Sequence, residues 1–334
     1  MKLEKDIAKA KQSRKTVRLA LLAALVLTAL PASAGTLSTQ VIGLFPKDVQ
    51  QFAYADLKEA RRFSWFPQLK EQMLPARFRQ FEQFLASAGM DPNLQVEELA
   101  WAAVMAGDVS SEQVVGVALG KFAPDRTEQF YREQKLATVE PRGYPLFAFG
   151  SGAGAGDLFF AFLDSSTAIF GHRSILEQLI EVRFGAEESV LRNERVMSQI
   201  GEVNGRGTVW AVLDRSYTRL GLQQLVPEAA QFPEAGKLLD RIHGMLVTVN
   251  AGKEVTARFQ ALCESPEEAS VFVSLLQAGL MMRRFQEQQS NPDLAKLLED
   301  TKVLQNGDRM DVRMNLTEDL LLALLRRNAF AVKI

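Results

Sequence analysis

The sequence predicts an α+β protein of two tandem ferredoxin-like (βαββαβ) repeats, in which antiparallel sheets are covered by helices. Three observations carry that prediction. Residues 245–250 and 255–263 alternate apolar and polar side chains on either side of Ala251-Gly252-Lys253-Glu254, the pattern of a half-buried hairpin. Ser265-Pro266-Glu267-Glu268 combines an N-cap serine, a proline at the first helical position and a glutamate three residues after the cap, so a helix starts there. The first half of the chain repeats this order of elements, and strand, helix, strand, strand, helix, strand is the order of a split βαβ unit.

From the N-terminus, residues 1–34 read as a cleavable signal peptide. Lys2, Lys5, Lys9, Lys11, Arg14, Lys15 and Arg18 stand against Glu4 and Asp6, a net +5 ahead of the uncharged run LALLAALVLTAL at 19–30. Twelve residues cannot span a bilayer, which needs roughly 20. Pro31 and then Ala32-Ser33-Ala34 supply the small-x-small site of a signal peptidase, so the mature chain is expected to begin at Gly35. Retention of the segment as an N-terminal anchor is the alternative. Taking these seven basic and two acidic residues from the chain's 39 and 40 leaves a balance of −6. A mildly acidic chain without a Lys/Arg cluster is not built for nucleic acid. Cys263 is the only cysteine, so neither lipid attachment at the cleavage site nor an intramolecular disulfide is available.

The first repeat is expected over 35–190. It has a strand at 52–56, a helix at 64–87 broken by Pro75, hairpin strands at 99–106 and 114–122, and a helix from Pro124. Ala106-Gly107 matches Ala251-Gly252, Pro124-Asp125 matches Pro266-Glu267, and Phe130 matches Phe272. An addition follows: strands at 143–149, 158–163 and 167–171, then a helix capped by Ser174 and ending near Phe184. Residues 191–207, with a short helix at 192–200, form the boundary. The second repeat, 208–334, has a strand at 209–214, a helix at 218–242 interrupted by Pro227 and Pro233, and the hairpin, whose second strand turns Val255, Ala257, Phe259, Ala261 and Cys263 inward. After the helix from Ser265 to about Gln288 come a short helix at 293–300 and a strand at 309–316. That strand has Met310, Val312, Met314 and Leu316 inward and Arg309, Asp311, Arg313 and Asn315 outward. Thr317 opens a last helix.

Catalytic and cofactor chemistry find little to work with. The glycine-rich loop at 150–156 has no GxGxxG phase and no following GK[ST], and it leads into a strand, so it reads as a hairpin connection. His172 and His243 fall in different repeats and neither has a second ligand at helical spacing, so no metal site is implied. There is no GxSxG elbow and no SxxK pair. Asp56, Asp164 and Asp214 end predicted strands, where carboxylates serve mainly as turn formers. No cofactor is expected.

Apolar surface is the stronger functional signal. The helix carrying Phe272, Leu276, Leu280, Met281 and Met282, and the last helix with Leu321 and Leu324, are apolar around more than one face. Either the two repeats bury the second stripe against each other, or it receives a protein partner, a peptide or a lipid. Trp65, Phe66, Phe78, Phe81 and Phe84 allow the same two readings.

The signal peptide, Leu44-Phe45-Pro46-Lys47-Asp48 leading to Tyr54-Ala55-Asp56, Gly89-Met90-Asp91-Pro92, and Ser265-Pro266-Glu267-Glu268-Ala269 together make a recognisable set. In these features the chain resembles a loose group of exported bacterial α+β repeat proteins known by pattern and not by activity, so the resemblance implies no catalytic residue. The expectation is an exported, non-catalytic binding or structural module of the cell envelope, periplasmic or extracellular, with an envelope protein or lipid as partner. Two alternatives stand beside it: a hydrolase using strand-end carboxylates such as Asp56 and Asp214, and a lipid-binding protein with an apolar cavity between sheet and helices.

Overall fold

Ala53 pairs with Ala211, Tyr54 with Trp210 and Phe52 with Val212, and through this antiparallel register both halves of the chain enter one sheet. The computed structural model describes residues 35–74, 76–105, 112–154, 157–219 and 241–328. The segment expected to be a signal peptide, the Ala106-Gly107 turn and most of the helix expected over 218–242 lie outside the described residues. In chain order the elements are β1 (Val49–Asp56), α1 (Phe66–Met73), α2 (Ala76–Ser87), β2 (Val96–Met105), β3 (Glu112–Gly120), α3 (Pro124–Gln134), β4 (Thr138–Val139), β5 (Leu146–Phe149), β6 (Leu158–Phe162), β7 (Thr167–His172) and α4 (Arg173–Arg183). There follow α5 (Glu194–Val203), β8 (Val209–Asp214), β9 (Gly244–Asn250), β10 (Glu254–Leu262), α6 (Pro266–Ser290), α7 (Pro292–Asp300), β11 (Lys302–Asn306), β12 (Arg309–Thr317) and α8 (Glu318–Arg326).

The architecture is α+β, with twelve strands in the order β11-β12-β10-β9-β8-β1-β2-β3-β7-β6-β5-β4 and every neighbouring pair antiparallel. The strand order departs from the ferredoxin-like expectation. A split βαβ unit sets its first and third strands side by side and parallel, whereas β8 lies between β9 and β1, and β10 between β9 and β12. The edge that β8 would offer to its own third strand is taken by β1. Outward from β1–β8, each side places three successive strands, then the second strand of a later hairpin (β7 or β12), then the first (β6 or β11).

Helices cover both faces. Alternate residues of a strand point to opposite sides, and in β5 Leu146 and Ala148 join one core while Phe147 joins another. The first core runs under α4 and α5, with Leu176, Leu179, Val196 and Ile200 packed on Phe52, Tyr54 and Trp210. On the opposite face α2 and α3 cover the β5–β7 end, and α6, α7 and α8 cover the β9–β12 end. Because both faces are covered, β6 is buried at every position, where a one-faced sheet would have needed polar residues at alternate sites.

Within 191–207, Val196, Ile200 and Val203 of α5 are buried in the first core, which draws on residues from Leu37 to Leu246. Residues 35–334 accordingly form one compact unit. Ser174 does not cap α4: His172 holds that position, and the Ser174 hydroxyl donates to Gln113 Oε1 at 3.0 Å. Strand β11, unread in the sequence, forms a hairpin with β12 through Gly307, whose φ of 61° suits a residue without Cβ. Gly120 meets a different demand, because a Cβ there would run into the main-chain carbonyl oxygen of Gln95, which accepts from the next residue's N–H at 3.0 Å. Gly120→Ala is expected to cost about 1–3 kcal/mol through forced backbone displacement, measured as a lowered urea midpoint.

Candidate ligand cavity and an exposed helix face

Ala118 of β3 pairs with Ala168 of β7, and these two small side chains point to the face covered by α2. Opposite them stand Phe66 of α1 and Phe78, Phe81 and Leu85 of α2. A partly open cavity of about 120 Å³ remains, lined almost wholly by apolar atoms, with Leu99, Phe160 and Phe170 completing the floor. Phe170 lies across Gly116, where a Cβ would strike its ring. Phe81 packs on Phe160 and Phe149, with ring centroids 5.9 and 5.3 Å apart.

The cavity wall also carries Arg61, Lys70, Glu82 and Asn93. Lys70 Nζ reaches Glu82 Oε1 at 2.6 Å and Asn93 Oδ1 at 2.6 Å. Arg61 Nη2 donates to the carbonyls of Pro92 and Val96, which ties the turn at 92–96 to the segment after β1. The pocket is thus an apolar body with a charged rim, suited to holding a small hydrophobic or amphiphilic molecule.

No family model and no curated protein sequence matches the chain. Among solved structures it is similar to crystal form I of TP0453, at 11% identity over 90% of this chain and 99% of that one, with a TM-score of 0.47. Crystal form III of TP0453 aligns at 8% identity over 85% and 97% of the two chains, with a TM-score of 0.49.

The surface expected from the sequence is divided by the structure. Phe272 is buried beneath α6, and Leu276 and Leu280 are half-buried against the same core. Leu321 and Leu324 are 2% and 1% exposed, which corrects their reading as a partner surface. One side of α8 meets Val255 and Leu316 of the sheet, and Trp65 and Phe66 of the first half join the same cluster. Met281 and Met282 remain 60% and 54% exposed and lie among Val271, Leu275 and Phe285, which are also exposed. The halves meet edge to edge at β1–β8, so this stripe of α6 is not covered by the other half. Among the described residues no helix is long and apolar enough to cross a membrane.

The strand-end carboxylates are apart and already engaged. Asp56 Oδ1 accepts the N–H of Glu59 at 2.8 Å, and Asp214 Oδ1 that of Tyr217 at 3.0 Å, each starting a helical turn. Asp56 donates its N–H to Thr208 O at 2.8 Å, six residues from Asp214 along β8, which separates the two carboxylates by about 20 Å. They cannot flank one substrate bond. Asp164 Oδ1 accepts from the N–H and hydroxyl of Ser166 in the β6–β7 turn. Cys263 is buried, and burial pushes its thiol up to about 11, so it stays protonated at neutral pH. His243 lies between Arg215 and Glu264, and among the described residues no group of three or more His, Cys, Asp or Glu is placed to hold a metal ion.

Proposed function

We propose that the chain is an exported, non-catalytic binding module of the bacterial cell envelope whose ligand is lipid-like and sits in the cavity between α1–α2 and the sheet. The observation carrying this reading is the apolar space itself. Well-packed interiors leave few voids larger than a water molecule, and this one is maintained by two facing alanines and a ring of large aromatic side chains. Export follows from the leader, with cleavage after Ala34. The matching succession of strands outward from β1 and from β8 supports an origin by duplication, the two copies having fused edge to edge instead of forming separate ferredoxin-like sheets.

The test is to express the full chain with its own leader, purify it from the envelope, and identify bound molecules by mass spectrometry beside an Ala118→Leu variant that fills the cavity. The mature N-terminus should be Gly35. An apolar or amphiphilic molecule should accompany the wild type in near-stoichiometric amount and be depleted at least tenfold from the variant. A wild-type protein that carries no such molecule, or a variant that carries as much, would overturn the cavity reading.

A further inference from the structure

The wall of the apolar cavity holds Arg61, whose guanidinium forms no ion pair and keeps two donor nitrogens unused among the described residues, and from this we infer that the ligand is a single-chain carboxylic acid, its tail in the cavity and its carboxylate on the Arg61 guanidinium. The inference rests on the cavity reading and names the ligand class for it. A guanidinium has five N–H donors. Arg61 uses Nη2 on two main-chain carbonyls, and its Nε and Nη1 donate to nothing among the described residues. Four carboxylates lie near enough to act on its charge, Glu97, Asp91, Asp56 and Glu82. Glu97 is paired with Lys58 at 3.3 Å and Glu82 with Lys70 at 2.6 Å, while Asp91 and Asp56 accept the main-chain N–H groups of Asn93 at 2.9 Å and Glu59 at 2.8 Å and act on Arg61 through their charge alone. None forms an ion pair with Arg61 among the described residues.

A single guanidinium matches a monoanion, and its planar fork matches the two oxygens of a carboxylate. A phosphate dianion would need a second free cation, and Lys70, the other cation of the cavity wall, is held by Glu82. The tail length follows from volume. The cavity measures about 120 Å³; an apolar cavity of about 150 Å³ accepts benzene, so a chain of roughly six carbons fits inside. Longer chains would leave through the open side.

Isothermal titration of the full mature chain with hexanoate, n-hexanol and hexyl phosphate separates tail from head. Hexanoate should bind at least about tenfold more tightly than hexanol, the ratio expected for one charge-assisted contact. In Arg61→Met that ratio should fall to near one while hexanol affinity stays within about twofold, a result that also reports an intact cavity. Arg61→Lys should keep part of the ratio, and it decides the matter together with the wild-type ratio if the methionine variant does not fold. Equal binding of hexanoate and hexanol to the wild type, or an unchanged ratio in both variants, would overturn the carboxylate anchor while leaving the cavity reading intact. Tighter binding of hexyl phosphate than of hexanoate would overturn the assignment of the head group. If neither hexanoate nor hexanol binds, the cavity reading fails and this inference with it.

Discussion

Trp210→Ala is expected to cost about 3–5 kcal/mol, the range for removing a fully buried aromatic side chain without complete collapse of the site. Trp210 has no exposed surface, and its ring stacks on Phe52 and Tyr54 of β1 with centroids 5.7 and 5.5 Å away. Phe45 meets Phe52 edge-on at 4.7 Å, extending the cluster. These rings bridge the strand pair by which the two halves become one sheet, so the hole would open where the fold is joined and not at its margin. A second substitution sharpens the expectation. The indole Nε1 of Trp210 is buried with no hydrogen-bond partner among the described residues, and such a donor costs about 1–3 kcal/mol in lost hydration. Trp210→Phe removes that donor while keeping most of the apolar ring, and should cost no more than about 2 kcal/mol. Urea unfolding of the mature chain measures both. A loss below about 1 kcal/mol in the alanine variant would show that the β1–β8 seam does not depend on this stack.

The elements were readable wherever one local signal decided them. Ser265 caps α6 by accepting the N–H of Glu268 at 3.3 Å, and the helix begins at Pro266 as the cap implies. The β9–β10 hairpin and β12 follow from alternation, with Phe259, Ala261, Cys263, Met310 and Val312 in one core. Which strands lie side by side was not readable. Alternation identifies the face a residue takes and says nothing of the neighbour on either edge, so a recurring order of elements points only to the commonest topology with that order. One contrary sign was present: Leu158 to Phe162 is apolar without interruption, as a strand covered on both faces must be, whereas a ferredoxin-like sheet has one open face.

The cavity was half legible. Phe66, Phe78 and Phe81 stand out in the sequence as surplus aromatic residues and do line it, while Trp65 is used against α8 and Phe84 against Tyr131 and Phe149. Its floor depends on the register that sets Ala118 opposite Ala168, a pairing between residues fifty apart that no local pattern reports. Nothing in the sequence separates Arg61 from Arg62, yet Arg61 lines the cavity and Arg62 pairs with Glu59 at 2.7 Å. Leu321 and Leu324 misled for the opposite reason: the apolar girth of α8 was real, and residues some 250 positions away in the chain cover it.

Asp311→Ala is expected to remove about 2–3 kcal/mol at neutral pH and progressively less in acid. Asp311 occupies the outward face of β12, as the alternation of that strand requires, but its side chain has no exposed surface because two arginines lie over it. Arg258 of β10 donates from Nε to Oδ1 at 2.9 Å and from Nη2 to Oδ2 at 2.6 Å, and Arg313 donates from Nη2 to Oδ2 at 2.7 Å. Breaking a buried ion pair costs about 3–5 kcal/mol, and the lower figure here allows for the partial exposure of both guanidinium groups, which water can then solvate. Burial raises the carboxyl pKa, but the hydrogen bonds and charges of the two arginines outweigh it and hold the group below its ordinary value. A depressed pKa means that the stabilisation is complete above the unfolded-state value and is lost as pH falls through the folded one. The difference in unfolding free energy between wild type and Asp311→Ala should therefore stay constant from neutrality to about pH 5 and narrow below about pH 4. Asp311→Asn keeps one oxygen acceptor and should lose less at neutral pH. A difference that grows on acidification would mean that the carboxyl is held protonated in the folded chain, and that the arginines contribute packing alone.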